Sequence, residues 1–205
     1  MIIESVASGP FETNSYLVGC EKEHVGIFID AAPASADKLL SFMKKHTLDI
    51  IGIYLTHSHY DHFADAHFLK NELKCPLFVH IEDRENLHKP GFDGIPKIIE
   101  VKAVSEDGLL EEGQIVSVGS LQFRVIHTPG HSPGGVCFYF EKEKILFSGD
   151  VLFKGTHGNV SFPSSNEEKM DQSLIKLMDL PDDVVVYPGH FGKTTIGEER
   201  SWIMS

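Results

Sequence analysis

Apolar residues along the chain fall into two patterns, short runs bounded by turn residues and longer stretches with helical spacing. Residues 2–7, 15–18 and 25–30 read as strands of a meander, separated by Gly9-Pro10 and by the charged turn Glu21-Lys22-Glu23. Over 34–46 the apolar positions Leu39, Leu40, Phe42 and Met43 recur at helical spacing. There Ser35 precedes Asp37, and Lys44-Lys45-His46 fill the last turn, where cations complement the helix dipole. The pattern then predicts a buried strand over 50–55 and one continuous helix over 61–73, with Phe63, Ala66, Leu69 and Leu73 on a single face. A short strand at 76–81 and a further helix lead to the turn-rich stretch 89–96, a loop of the kind that often carries function. Strands return at 114–118, 121–127, 136–140 and 144–148, followed by a helix at 167–178 and a last buried strand at 184–187. No short repeat, linker or low-complexity segment interrupts this order, so a single domain over residues 1–205 is expected.

Polar residues matter most where the strands stop. The run 50–55 ends in Thr56-His57-Ser58-His59-Tyr60-Asp61-His62, which places four metal-capable side chains on one strand-to-helix turn. His57 and His59 are two apart, so an extended backbone aims them the same way; Asp61 and His62 lie where the chain begins to coil and can address a second point. The same context recurs three times, an apolar strand running into small residues and then a ligand type. His131 follows Thr128-Pro129-Gly130, Asp150 follows Ser148-Gly149, and His190 follows Tyr187-Pro188-Gly189. If these strands are neighbours, their ends collect His57, His59, Asp61, His62, His131, Asp150 and His190 on one edge.

Composition narrows the partners. Eighteen Lys and Arg against 30 Asp and Glu give a formal charge of −12, which opposes a nucleic-acid groove or an anionic membrane surface. Bound divalent cations would offset part of it. The start of the chain lacks a basic segment followed by a long apolar one, and no stretch approaches the roughly 18 apolar residues of a membrane span, so a cytoplasmic location is expected. The three cysteines are widely spaced and none forms a C-x-x-C pair. Cys137 sits in the apolar run Val136-Cys137-Phe138 and reads as a small buried hydrophobe.

His-x-His-x-Asp-His over 57–62, then Thr-Pro-Gly-His, Ser-Gly-Asp and Tyr-Pro-Gly-His in this order, resembles the metallo-β-lactamase fold superfamily, and within it glyoxalase II and its small single-domain relatives. The likeness runs from Thr13-Asn14-Ser15-Tyr16 to Glu199-Arg200. It implies an α/β fold, an αββα sandwich of two mixed sheets with helices outside and the site on one edge. It also implies two metal ions, one held by His57, His59 and His131, the other by Asp61, His62 and His190, with Asp150 bridging. Imidazoles and carboxylates suit zinc first, with iron and manganese as alternatives. A water on such a metal ionises near pH 7, so a hydroxide nucleophile needs no Ser or Cys, and Asp61 beside it would orient it. Asp61 and Asp150 are thus the candidate catalytic carboxylates.

The resemblance implies a thioesterase acting on small acyl thioesters of the S-lactoylglutathione kind. Two departures bear on the thiol. Gly158-Asn159-Val160-Ser161 stands where the small relatives carry Gly-Arg-Thr-Asp, and only 201–205 follow Arg200 where two-domain relatives have a glutathione-binding helical domain. Tyr60, Lys154 and His157 are candidate substrate contacts. Other readings within the superfamily are a lactonase or another hydrolase, and a mononuclear iron persulfide dioxygenase using His57, His131 and Asp150. A non-enzymatic scaffold would require broken ligands, and an RNA-processing enzyme would require a clamping domain and a basic surface.

Overall fold

The computed structural model describes Met1–Ser205. The chain forms β1 (Ile2–Ser8), β2 (Thr13–Cys20), β3 (Val25–Ile29), α1 (Ala36–His46), β4 (Asp49–Tyr54), α2 (Tyr60–Phe63), α3 (Ala66–Leu73) and β5 (Leu77–His80). A single 3-10 turn (Ile81–Asp83) precedes α4 (Arg84–His88), and then come β6 (Gly108–Leu110), β7 (Ile115–Val118), β8 (Leu121–His127), β9 (Val136–Phe140) and β10 (Ile145–Gly149). The last elements are α5 (Glu167–Leu177), β11 (Val185–Pro188), β12 (Thr194–Thr195) and α6 (Ile196–Ile203). One sheet has the order β1-β2-β3-β4-β5-β6, the other β12-β11-β10-β9-β8-β7. Both are mixed: β1, β2 and β3 pair antiparallel, β3 to β6 parallel, and in the second sheet only β10 and β11 run parallel.

Every residue of β2 and of β9 is buried, which explains why residues 16–18 and Val136–Phe140 read as apolar runs rather than alternating ones; β2 opens on the buried polar residues Thr13, Asn14 and Ser15. Alternate side chains enter different layers. Tyr16, Val18, Ile27, Ile29 and Tyr54 meet Phe123, Phe138, Phe140 and Phe147 between the sheets. Leu17, Phe28, Ile53 and Leu55 face the other way, against Leu39 and Phe42 of α1 and Phe63 and Leu69 of α2 and α3. On the far side Cys137, Tyr139 and Leu146 pack on Met170, Leu174 and Leu177 of α5 and Ile196 of α6. Three apolar layers between two sheets and two sets of helices make the four-layer α/β sandwich, each fully buried Phe or Leu contributing ~1.5–3 kcal/mol of transfer free energy.

The expected helix over 61–73 is broken. The loop after β3 docks into it: Ala31 N–H donates to His62 O and Asp65 N–H to Ala31 O, replacing two intrahelical bonds. Asp65, freed at the break, accepts from Ala36 N–H at 2.9 Å, so α1 is capped by Asp65 while the Ser35 side chain makes no cap bond. Strands β6 and β12 and helix α6 were not anticipated. Asp107-Gly108 reads as a turn, and Gly197 masks the capping pair in which Thr195 Oγ1 accepts from Glu198 N–H. All three cysteines are free and buried, and burial pushes the Cys137 thiol up to about 12. No helix is long and apolar enough to cross a membrane.

Candidate metal centre

Strand direction brings the candidate ligands together. β8, β10 and β11 run the same way in their sheet, so the loops carrying His131, Asp150 and His190 leave from one edge. The loop after β4 is joined to that edge by Val136 N–H donating to Thr56 O at 2.8 Å. All seven residues named from the sequence lie in one cluster. His57, His59 and His131 present ring nitrogens within 4.8 Å of one another, and Asp61, His62 and His190 form a second group of the same kind. Between them, Asp150 Oδ2 lies 3.3 Å from His131 Nε2 and 3.3 Å from His190 Nε2, and Asp150 Oδ1 lies 3.4 Å from His62 Nε2. His59 turns Nδ1 to the cluster, 2.7 Å from His131 Nε2. Six of the seven are buried and His190 is half-buried.

The outward nitrogens of four of these histidines all meet acceptors. His62 Nδ1 donates to Asp30 Oδ2 at 2.8 Å, His131 Nδ1 to Asn159 O at 2.8 Å and His190 Nδ1 to Phe11 O at 3.0 Å. Thr56 Oγ1 gives its proton to Asp30 Oδ2, so it can only accept from His57 Nδ1 at 3.1 Å. In each neutral ring the inward Nε2 is therefore a lone pair. His57 Nε2 is buried without a hydrogen-bond partner, as is Asp150 Oδ1. His62 Nε2 and His190 Nε2 face each other at 3.4 Å, and two lone pairs at that separation repel unless a cation or protons lie among them. This donor set fits divalent metal ions: converging lone pairs, carboxylates between them, and outer partners that hold four of the five rings in the required tautomer, the outward Nε2 of His59 having none.

The charge balance points the same way. Burial, and then the neighbouring imidazoles, hold His57 and His59 well below the ordinary histidine range, and burial also lowers His131, so these three are neutral ligands. Burial opposes the charge on His62, but Asp150, Asp61 and Asp30 outweigh it and raise its pKa well above the ordinary value; Asp150 does the same for His190. Burial likewise opposes ionisation of Asp150, yet His62 and His190 hold it well below the carboxylate range. Carboxylates that draw protons onto neighbouring rings are placed to draw cations instead.

Several residues that build this centre carried no assignment from the sequence. Asp30 accepts from Thr56 N–H, Thr56 Oγ1 and His62 Nδ1 at once. Thr13 Oγ1 donates to Asp61 Oδ2 at 2.7 Å, Asn14 Nδ2 to the carbonyls of Pro188 and Phe191, and Tyr16 Oη to Pro188 O. Asp83 ties the two histidine loops together by accepting from Ser58 N–H and Gly134 N–H. A signal was available for some of them: Asp30 ends an apolar strand as Asp150 does, and Thr13-Asn14-Ser15 are polar residues leading an apolar run. Asp83, far from every ligand in sequence, had none.

The cluster forms the floor of a cleft of about 560 Å³ walled by Phe11, Tyr60, Ile95, Pro96, Ile98, Phe153, Phe162 and Phe191. Of the three candidate substrate contacts, Tyr60 lines this cleft. Lys154 is exposed outside it, and His157 stacks on Trp202 with ring centroids 6.3 Å apart, also outside the cleft. Gly158 is sterically required, because a Cβ there would collide with Asp150 O and come within 2.9 Å of His131 Nδ1.

Two mixed sheets flanked by helices, with a His and Asp cluster on one edge, define a metallo-hydrolase fold. A family model for the metallo-beta-lactamase superfamily matches residues 8–190, and the chain belongs to that superfamily. Among its relatives, hydroxyacylglutathione hydrolase GloC of Haemophilus influenzae is 30% identical over 208 residues, covering 98% of this chain and 95% of GloC. The crystal structure of the BLEG-1 B3 metallo-beta-lactamase superposes with a TM-score of 0.90 at 31% identity, covering 98% of this chain and 97% of that one. That of TTHA1623 in a di-iron-bound form gives a TM-score of 0.80 at 34% identity, with 96% of each chain covered.

Proposed function

We propose that the protein is a binuclear metal-dependent hydrolase of acyl thioesters. In this reading His57, His59 and His131 would hold one divalent ion and Asp61, His62 and His190 a second, with the Asp150 carboxylate available to both groups. Zinc is the first candidate, with iron and manganese as alternatives; the similarity to a di-iron protein keeps iron in view. When bound, the metals supply Lewis acidity and a water nucleophile available near neutral pH. The observation that carries the reading is the cleft itself: its floor is the ligand cluster, and its walls contain no Ser, Thr, Cys or Lys that could attack a carbonyl.

The chain's own residues do the rest. Asp61, held by Thr13, would orient a water nucleophile and accept its proton, and the apolar walls would be covered by the bound substrate, which limits water at the reacting carbonyl. A thiolate is a good leaving group, so the reaction tolerates a site without a strong acid beside the leaving atom. The similarity to GloC supports thioesters over the other substrates of the superfamily.

Metal content and a substrate panel test this. Elemental analysis of the purified protein should give close to two metals per chain. Thioesters should be the best class hydrolysed, with S-lactoylglutathione turned over at high KM and usable kcat. Faster hydrolysis of a lactone or a β-lactam than of every thioester would refute the assignment. One tightly held iron, with oxygen consumed, would replace hydrolysis by persulfide oxidation.

A further inference from the structure

Aromatic rings flank the cluster at both ends. Phe162 stands edge-on to His59 and His131, with ring centroids at 5.5 and 5.7 Å. At the other end Phe153 and Phe191 pack beside His190, at 5.8 and 6.3 Å. Ile98 closes one side, and Phe191 and Ile98 are 70% and 63% exposed. Large apolar side chains left open around one concave site mark it as a surface built to be covered by an apolar ligand.

Cations are absent from the same walls: the lining contains no Lys or Arg. Among lysines adjacent in sequence to lining residues, Lys97 Nζ donates to Pro90 O, and Lys154 is exposed outside the cleft. Lys193 Nζ, two residues beyond Phe191, sits 4.3 Å above the Tyr187 ring and donates to its hydroxyl. A substrate carboxylate resting on Phe and Ile, away from the metal ligands, would lose hydration without gaining an ionic partner, and the chain's formal charge of −12, about −8 with two divalent ions bound, adds repulsion on approach.

We propose, resting on the thioesterase reading, that the preferred substrate is a thioester with an apolar acyl group, medium-chain or aryl, on an uncharged thiol portion, rather than an anionic thioester such as that of glutathione. Each methylene that becomes fully buried is worth about fourfold in binding, so partial burial of an acyl chain accumulates quickly.

Two measurements on the metal-loaded protein test this separately from the thioesterase reading. In the first, acetyl, butanoyl, hexanoyl and phenylacetyl thioesters of N-acetylcysteamine and of glutathione are compared. The value of kcat/KM should rise about tenfold or more from acetyl to hexanoyl. At equal acyl group it should be about fivefold or more higher on N-acetylcysteamine than on glutathione. In the second, calorimetry follows binding of the S-hexyl thioethers of both thiols, which have no bond to cleave. The neutral thioether should bind more tightly, and Phe191→Asp and Ile98→Asp should each weaken it about tenfold. Turnover with a flat acyl series, or tighter binding of S-hexylglutathione, would overturn the proposal and leave the thioesterase reading standing. No turnover of any thioester, with hexyl binding intact and sensitive to both substitutions, would sink the thioesterase reading and keep the apolar preference.

Discussion

Asp150 approaches nitrogens from both histidine groups, whereas Asp61 approaches only His62 and His190. That difference separates two substitutions. Asp150→Ala removes the carboxylate between the groups and leaves His62, His131 and His190 facing one another without it, so the purified variant should carry less than one metal per chain. Its kcat/KM should fall beyond the ~10–100-fold typical of losing an outer-sphere partner. His190→Ala leaves the group of His57, His59 and His131 intact and should retain about one metal. Equal and small losses in the two variants, read by elemental analysis and steady-state kinetics, would count against a shared carboxylate.

At the level of elements, the ligands sit on loops that are rigid because other strands grip them. Asn14 N–H donates to Gly189 O and Gly189 N–H to Gly149 O, so the loop after β11 is pinned to both β2 and β10. Gly189 has no room for a side chain: a Cβ there would collide with Asp150 Oδ1 and come within 2.7 Å of His62 Cε1. Gly189→Ala should therefore destabilise by ~1–3 kcal/mol through overpacking and displace Asp150 enough to lower metal content and activity together. Gly192→Ala, where nothing lies within 4 Å, is the matched control and should leave both unchanged. Metal analysis and thermal melts of the pair distinguish a packing requirement from a general dislike of alanine in that loop. The strands feeding these loops were legible from their apolar runs and Gly-rich ends. The break between α2 and α3 was not, because no Gly or Pro marks it and the bonds that cause it come from Ala31, some 30 residues earlier.

Across the whole molecule, the two sheets also meet through His80 at the end of β5 and His127 at the end of β8, whose rings stack at 4.1 Å and 15°. Burial, then the neighbouring His127, pushes the His80 pKa from 6.5 down to about 4. A histidine held neutral in the fold and free to protonate when unfolded contributes stability that is fully present above about 6.5 and is lost as the pH falls toward 4. His80→Phe keeps a ring against His127 and removes that titration. Urea midpoints of wild type and variant should therefore converge, or cross in favour of the variant, between pH 7.5 and 4.5. Parallel midpoints over that range would show that His80 is not the titrating group. Comparing the two proteins at each pH cancels the acid sensitivity of the metal ligands, which both share.

Local information was enough for most strands, for the faces of α1 and α5 and for the seven ligand candidates, but not for β6, β12 or α6. Strands buried on both faces, such as β9, show as apolar runs, and three of the ligand-bearing loops show as small residues that let the chain turn before His131, Asp150 and His190. The resemblance to a known fold was carried by those same residues. Properties that depend on residues distant in the chain were beyond the sequence. The pairing of Asp30 with His62, of Thr13 with Asp61 and of Asp83 with two histidine loops exists only once β2, β3 and the turn after β5 are stacked in place. So does the separation of Tyr60, which lines the cleft, from His157, which the fold turns toward Trp202. Composition cannot foretell a cleft with aromatic ends and no cation, because its walls come from segments as far apart as Phe11, Ile98 and Phe191. Short-range sterics and hydrophobic period act within a few residues and were readable; hydrogen bonds across layers and the shape of a cavity are set by packing, and only the tertiary structure decided them.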